Sequence, residues 1–254
     1  MAFIFHIPHS SKHIPPKYLQ EFSLTLDALE TEKVKMTDSF TDELFVECLE
    51  ANDVDLVFPV SRLLVDVERF SEDQYEAMSE IGMGMLYTSC HDLSPLRKSN
   101  IFAHELKTTY YDAHHAAFTE LVGSHLESYG SALIIDCHSF PTSPWPYELN
   151  QTGNRPEICI GIDPFHTPSE LEMALTIAFR KQGFEVDIDT PFSGSIVPMR
   201  FFEKDKRVSS IMIEIRRDLY MDEATGKRNL QFTHTKQKIE AAIQEFRNKV
   251  QKIL

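Results

Sequence analysis

The chain alternates short apolar runs with longer amphipathic stretches. Phe3-Ile4-Phe5-His6-Ile7 is a compact apolar run that stops at Pro8-His9-Ser10-Ser11. Runs of this length bounded by polar residues read as buried strands. The same layout recurs at Ala132 to Ile135, which ends in Asp136-Cys137-His138-Ser139, so a strand is expected over 131–136. Asp55 to Val60, Leu63 to Val67, Ile158 to Ile162, Ile196 to Met199 and Ser209 to Ile215 also read as strands, with a short one at Leu86-Tyr87-Thr88. Helical spacing appears over 15–33 (Leu19, Phe22, Leu26, Leu29) and over Thr41 to Ala51 (Leu44, Phe45, Cys48, Leu49). The best helical pattern runs over 100–128, through Leu106, Tyr110, Ala113, Ala117, Leu121 and Leu126. Pro168 to Lys181 predicts a helix stopped by Gly183, and Phe232 to Leu254 a closing amphipathic helix. Strands alternating with helices predict an α/β fold, with helices on both faces of a parallel or mixed sheet. No internal repeat or linker divides the chain, so residues 1–254 are expected to form one domain.

Composition narrows the function. The formal net charge of −14 argues against nucleic-acid binding, which depends on Lys and Arg neutralising phosphates. An anionic substrate would need local positive charge to offset it. No apolar run approaches the roughly 20 residues that span a bilayer, and no signal-peptide pattern opens the chain. The cysteines Cys48, Cys90, Cys137 and Cys159 form no CxxC pair and read as reduced thiols, so a cytoplasmic location is expected.

In open α/β sheets, ligands bind outside the carboxyl ends of the strands. His9 and His138 follow two such strands, and imidazole is the commonest metal ligand. His6 lies on the alternate pleat of the first strand and is a weaker candidate. His91, His104, His114, His115 and His125 fall on or before the long helix, where surface or capping roles are the default; His115 could stand behind the ligands. Glu214 lies within an apolar strand, on the face of Met212 and Arg216. It is either a general base beside a metal site or one half of a structural ion pair. A third ligand is offered by Asp38 or Asp42, although Asp38 or Thr41 would equally serve as a helix N-cap. Asp136 either ligates or orients a histidine. Arg62 and Arg69 bracket Leu63 to Val67 and suit a substrate carboxylate, or else pair with Asp66 or Glu68. Arg97 is a further candidate for that carboxylate, and Gly194 marks a tight turn or close approach at the substrate. No G-x-S-x-G, P-loop or G-x-G-x-x-G is present.

Taken together these segments resemble the N-formylglutamate amidohydrolase family. Ile7-Pro8-His9-Ser10, Thr37-Asp38, Asp42-Glu43-Leu44, Ser61-Arg62 through Phe70, and Tyr110-Tyr111 with His115 occur in family order. So do Asp136-Cys137-His138-Ser139, Arg155 through Gly161, Pro191-Phe192-Ser193-Gly194 and Glu214 through Met221. The resemblance implies a three-layer sandwich with a mixed, mostly parallel central sheet, like the zinc carboxypeptidases. It also implies hydrolysis of N-formyl-L-glutamate to formate and L-glutamate, a late step in one route of histidine degradation. Another N-acyl amino acid, or a small amide, is the nearest alternative substrate; a catalytically silent binding protein is the alternative of a different class. By wider similarity to zinc carboxypeptidases, His9 and His138 would hold a divalent metal, zinc first, and Glu214 would be the general base. Arg69 would stabilise the oxyanion, while Arg62 would hold the substrate carboxylate. The position three after His9, a glutamate ligand in those enzymes, is Lys12 here, so Asp38 rather than Asp42 is expected to supply the carboxylate. Glu68 stands where the family usually has Asn; it would either repel an acidic substrate or pair with Arg69.

Overall fold

A computed structural model describes residues 2–151 and 153–250. Its six-stranded sheet has the order β2-β1-β3-β6-β4-β5. The strands are β1 (Phe3–Ile7), β2 (Val54–Val57), β3 (Ala132–Phe140), β4 (Ile158–Ile162), β5 (Val186–Ile188) and β6 (Val208–Arg216). β2, β1, β3 and β6 run parallel; β4 is antiparallel to β6, and β5 is parallel to β4. The helices are α1 (Leu26–Met36), α2 (Thr41–Val46), α3 (Ala103–Leu106), α4 (Ala113–Tyr129), α5 (Ser169–Lys181) and α6 (Phe232–Val250). A small hairpin, β7 (Met221–Asp222) with β8 (Lys227–Arg228), precedes α6. Residues 251–254 of the expected closing helix lie outside the described residues. Helices thus cover both sides of a mixed, mostly parallel sheet, the α/β architecture expected.

Strand alternation sorts the chemistry from the core. Phe3, Phe5 and Ile7 of β1, Leu133, Ile135 and Cys137 of β3, and Ile211, Ile213 and Ile215 of β6 share one apolar cluster with Leu175 of α5 and Ile243 of α6. The opposite face begins apolar, with Ile4 and Ile134 packed on Phe118 and Val122 of α4. Further along the same strands, that face carries His6, then Asp136 and His138, then Met212 and Glu214. The polar residues are therefore brought together by a two-residue period and a shared register, with His6 beside Asp136 and His138 beside Glu214.

Several expected elements differ. β3 continues to Phe140, so His138 lies inside the strand rather than after it. The helix expected over 15–33 is a 3-10 turn (Pro16–Glu21) followed by α1, whose N-terminus is capped by the Thr25 hydroxyl. The helix expected over Thr41 to Ala51 stops at Val46. The long helical pattern widens into a π segment (Lys107–Asp112) between α3 and α4. Ile196 to Met199 is not a strand: Ser210 Oγ donates to the Ile196 carbonyl at 2.8 Å, and the chain turns at Pro198. Leu86-Tyr87-Thr88 is not a strand either.

Leu63 to Val67 is the most instructive departure. These residues are apolar because they are buried, but they form a turn, with Leu64 N–H bonded to the Ser61 carbonyl at 2.9 Å. Their backbone is satisfied by distant segments: Asp66 N–H reaches the Met85 carbonyl at 2.8 Å. The Leu63 and Leu64 carbonyls accept from Arg97 Nη2 at 3.1 and 2.8 Å.

Candidate active site

Four segments converge on the polar face at the carboxyl ends of β1, β3 and β6. The first is the loop after β1. His9 is buried there, and its carbonyl accepts from Asp38 N–H at 3.0 Å, which joins the second segment to the first. Phe40, at φ +70°, turns the chain into α2, and no side chain caps that helix. The Asp38 carboxylate is thereby free of capping duty and points at the histidines instead. Its Oδ2 lies 3.3 Å from His138 Nδ1 and 3.7 Å from His9 Nδ1, and its Oδ1 accepts from Arg217 Nη2 at 2.8 Å. The third segment is the buried turn of residues 61–69, and the fourth is the Pro191 to Ile196 loop. Together they enclose a cleft of about 320 Å³, within the usual range for small-molecule sites of roughly 300–1,000 Å³.

The donor set fits a metal ion. Ligand atoms of His9, Asp38 and His138 all lie within 4.8 Å of one another. His9 Nε2–H donates to Asp66 Oδ1 at 2.9 Å, and Nδ1 is left buried with no hydrogen-bond partner. His138 Nε2–H similarly donates to Asp136 Oδ1 at 3.0 Å and turns Nδ1 toward Asp38. Carboxylates that orient the far nitrogen of a histidine are the usual support of a metal-binding imidazole. Asp136 is thus placed behind His138, where it also accepts from His6 Nδ1–H at 2.9 Å.

Electrostatics point the same way. Burial pushes the Asp38 carboxyl up, but the His138 and His9 imidazoles beside it and the charge of Arg217 outweigh it, holding the group well below its usual range. Burial opposes charge on His138, yet Glu68 and Asp136 overcome that and hold the imidazole well above its ordinary value. A field that favours an added positive charge at this point also favours a cation. Glu214 behaves oppositely: burial pushes its carboxyl up to about 8, with His138 pulling it down and Asp38 reinforcing the rise. No ion pair of Glu214 is found among the described residues, and its Oε2 is buried without a hydrogen-bond partner, so the structural-pair reading of Glu214 has no counterpart here.

The arginines separate into two groups. Arg62, Arg69 and Arg217 line the cleft. Arg62 pairs with Asp66 at 2.9 Å, and Arg217 with Asp38. Arg69 donates from Nε to the Met83 carbonyl at 3.1 Å and has no carboxylate partner among the described residues. Glu68 does not pair with it. Its Oε2 lies 3.2 Å from His138 Nε2 and its Oε1 3.5 Å from His6 Nδ1.

Arg97 is not in the cleft, which corrects the expectation that it contacts substrate. Its guanidinium is buried, pairs with Glu21 and bonds the carbonyls of Leu63, Leu64 and Tyr87. It shapes the turn that carries Arg62, Asp66, Glu68 and Arg69. Truncating Arg97 to Met leaves Glu21 buried and uncompensated, so a loss of about 3–5 kcal/mol is expected in denaturant unfolding. An unchanged midpoint would show that this pair does not hold the turn.

Gly194, at φ +88°, lines the cleft, and its carbonyl crowds Gly161 so closely that a Cβ there would lie 2.2 Å from it. Asp42 is half-buried on the first turn of α2 and does not line the cleft, and Lys12 packs near the Phe40 ring. His114, expected at the surface or a cap, is buried with Nε2 2.9 Å from His6 Nε2, and His125 is also buried. Sequence reasoning gave no separate role to Arg217 or Tyr147, both of which line the cleft. The tandem Arg216-Arg217 at the end of β6 is the available signal for the first: adjacent side chains diverge, and only Arg217 turns inward.

An α/β sheet with a buried His–Asp–His cluster and a carboxylate beside it defines a hydrolase-type site. The N-formylglutamate amidohydrolase family model matches residues 1–221, and the chain belongs to that family. The fold agrees with the solved N-formylglutamate amidohydrolase from Ralstonia eutropha JMP134, at 18% identity and a TM-score of 0.83, covering 99% of this chain and 95% of that one. A gene product from Agrobacterium tumefaciens has the same fold, at 16% identity and a TM-score of 0.69, covering 98% and 91% of the two chains. No curated protein sequence matches the chain. Among the described residues no helix is long and apolar enough to cross a membrane.

Proposed function

We propose that this chain is a metal-dependent amidohydrolase of N-acyl amino acids, with N-formyl-L-glutamate as its leading substrate, and that residues 1–254 act as one domain. The observation that carries this reading is the unpartnered, buried Glu214 carboxyl beside a His9–Asp38–His138 cluster whose His9 Nδ1 is also unpartnered. Those three residues would hold a divalent ion, zinc being a natural choice for two imidazole nitrogens and a carboxylate. When bound, such an ion polarises the amide carbonyl and makes water more acidic.

The chain's own groups do the rest. In its ionised form Glu214 accepts a proton from the attacking water and holds it, because burial keeps its affinity for protons high. It then delivers that proton to the leaving amine. Arg69, without a carboxylate partner of its own, is free to face the oxygen that gains charge. Arg62 and Arg217 add positive charge toward the substrate carboxylates, although each is already paired. With Glu214 holding its proton, Asp38, Glu68 and Asp136 only balance the three guanidiniums lining the cleft. A divalent ion would make the balance positive, which makes an acidic substrate compatible with this lining.

The test is a panel of N-formyl, N-acetyl and other N-acyl amino acids assayed for released amine with metal-loaded protein. N-formyl-L-glutamate is expected to be turned over. Failure on every member, with metal bound, would overturn the amidohydrolase reading in favour of a silent binding protein.

A further inference from the structure

A second cavity of about 190 Å³ adjoins the cleft, and Glu68, Arg69, Ser195 and Ile196 line both. Beyond this shared wall the chemistry changes. The walls become Val67, Phe70, Val197, Met199 and Phe202, with Tyr111 and His115 as the polar members. Tyr111 already donates its hydroxyl to the Arg69 carbonyl at 2.7 Å. Burial, reinforced by His6, lowers the His115 pKa, so its imidazole carries no charge near neutrality. The rim is open, with Phe70 49% and Met199 58% exposed.

The volume suits a small apolar group, since an apolar cavity of about 150 Å³ accepts benzene. The position selects which part of a substrate enters. The cavity meets the catalytic cleft at Arg69, the residue placed to face the scissile carbonyl. A carboxylate entering would pass Glu68 and find no cation beyond the shared wall. In an N-acyl acidic amino acid the amine half carries the charges and the acyl half carries none.

We propose that this annex is an acyl subsite, and that the substrate class extends to N-acyl amino acids whose uncharged acyl group has about four to six carbons. The inference rests on the amidohydrolase reading above and adds the acyl group to it. The test compares N-formyl-, N-acetyl-, N-butanoyl- and N-hexanoyl-L-glutamate with N-formyl-L-phenylalanine, on the metal-loaded protein and on Val197→Phe and Met199→Trp. From acetyl to hexanoyl, kcat/KM is expected to rise by roughly fourfold per methylene. Each substitution should remove about tenfold or more of that gain while leaving N-formyl-L-glutamate unchanged. Met199 is exposed, so its replacement keeps the test open if Val197→Phe fails to fold.

A rate that is flat or falls with chain length overturns the proposal, as does a gain that survives substitution. A preference for N-formyl-L-phenylalanine also overturns it, because the annex would then hold the amino-acid side chain. Calorimetric titration with hexanoate against acetate decides the annex without turnover. Tighter hexanoate binding that Val197→Phe or Met199→Trp abolishes supports it, and equal binding sinks it. Loss of all turnover with hexanoate binding retained would reject the amidohydrolase reading and leave the annex standing.

Discussion

Replacing Glu214 with Gln is expected to lower kcat by about 10²- to 10⁴-fold, the range general acid–base groups contribute. Bound metal and the folded structure should be unchanged. The reasoning is geometric. Glu214 sits in register beside His138 on the face that carries the whole site, buried, with one oxygen unpartnered. Gln keeps the shape and removes only the ability to accept a proton. Because no ion pair of Glu214 exists among the described residues, the exchange strands no partner. It also removes a carboxyl that burial disfavours in its charged form. The thermal midpoint should therefore hold or rise while activity collapses, a separation typical of functional rather than structural groups. Kinetics, metal analysis and a melting curve on one preparation check it. Residual activity above about a tenth of the wild type would remove Glu214 as the base.

Removal of the metal is expected to have an equally large effect. Chelation should abolish turnover, with recovery on adding zinc, cobalt or manganese. It should also lower the unfolding midpoint, because an ion that binds only the folded state stabilises it by about 4 kcal/mol at a thousandfold excess over its Kd. His138→Ala and Asp38→Asn should each reduce metal occupancy, since both contribute to the His9–Asp38–His138 donor cluster. Asp42→Asn should not, because Asp42 lies on the first turn of α2, outside the cleft. Elemental analysis of the three variants separates the cases. Full occupancy in Asp38→Asn, or loss confined to Asp42→Asn, would move the carboxylate ligand to Asp42.

Much of this site can be read from the chain because strands write their two faces in alternation. Asp136 and His138 are two residues apart, as are Met212 and Glu214, so each pair shares a face whatever the rest of the molecule does. The apolar residues that alternate with them, Ile135, Cys137 and Ile213, pack toward α2, α5 and α6, and this makes the strands recognisable. His9 was legible for the same reason, as a polar stop to an apolar run. The error over Leu63 to Val67 has the opposite origin. Apolar content reports burial, and a turn can be as deeply buried as a strand when side chains and distant backbone satisfy its carbonyls. Arg97 supplies that satisfaction. The buried turn and the inward Arg97 explain each other, since an arginine spent on buried carbonyls looks in sequence like any other arginine.

Glu68 shows the same limit at closer range. It would either repel an acidic substrate or pair with Arg69; the two side chains part company, and the glutamate turns to His138 and His6. Neighbours in sequence need not be neighbours in space once a turn intervenes. Asp38 could have capped the next helix, but it does not, and the left-handed Phe40 that turns the chain there is a backbone state that residue identity does not announce.

Local periodicity alone therefore marks the α/β class, the face on which Asp136, His138 and Glu214 lie, and His9 as a strand-end group. Periodicity is a property of a single segment and survives whatever surrounds it. The partner of each arginine, the direction of Asp38, the place of Glu68 behind His138 and the apolar annex beyond Arg69 were decided by tertiary structure. Each depends on segments far apart in the chain meeting at one point, and no local pattern encodes that meeting.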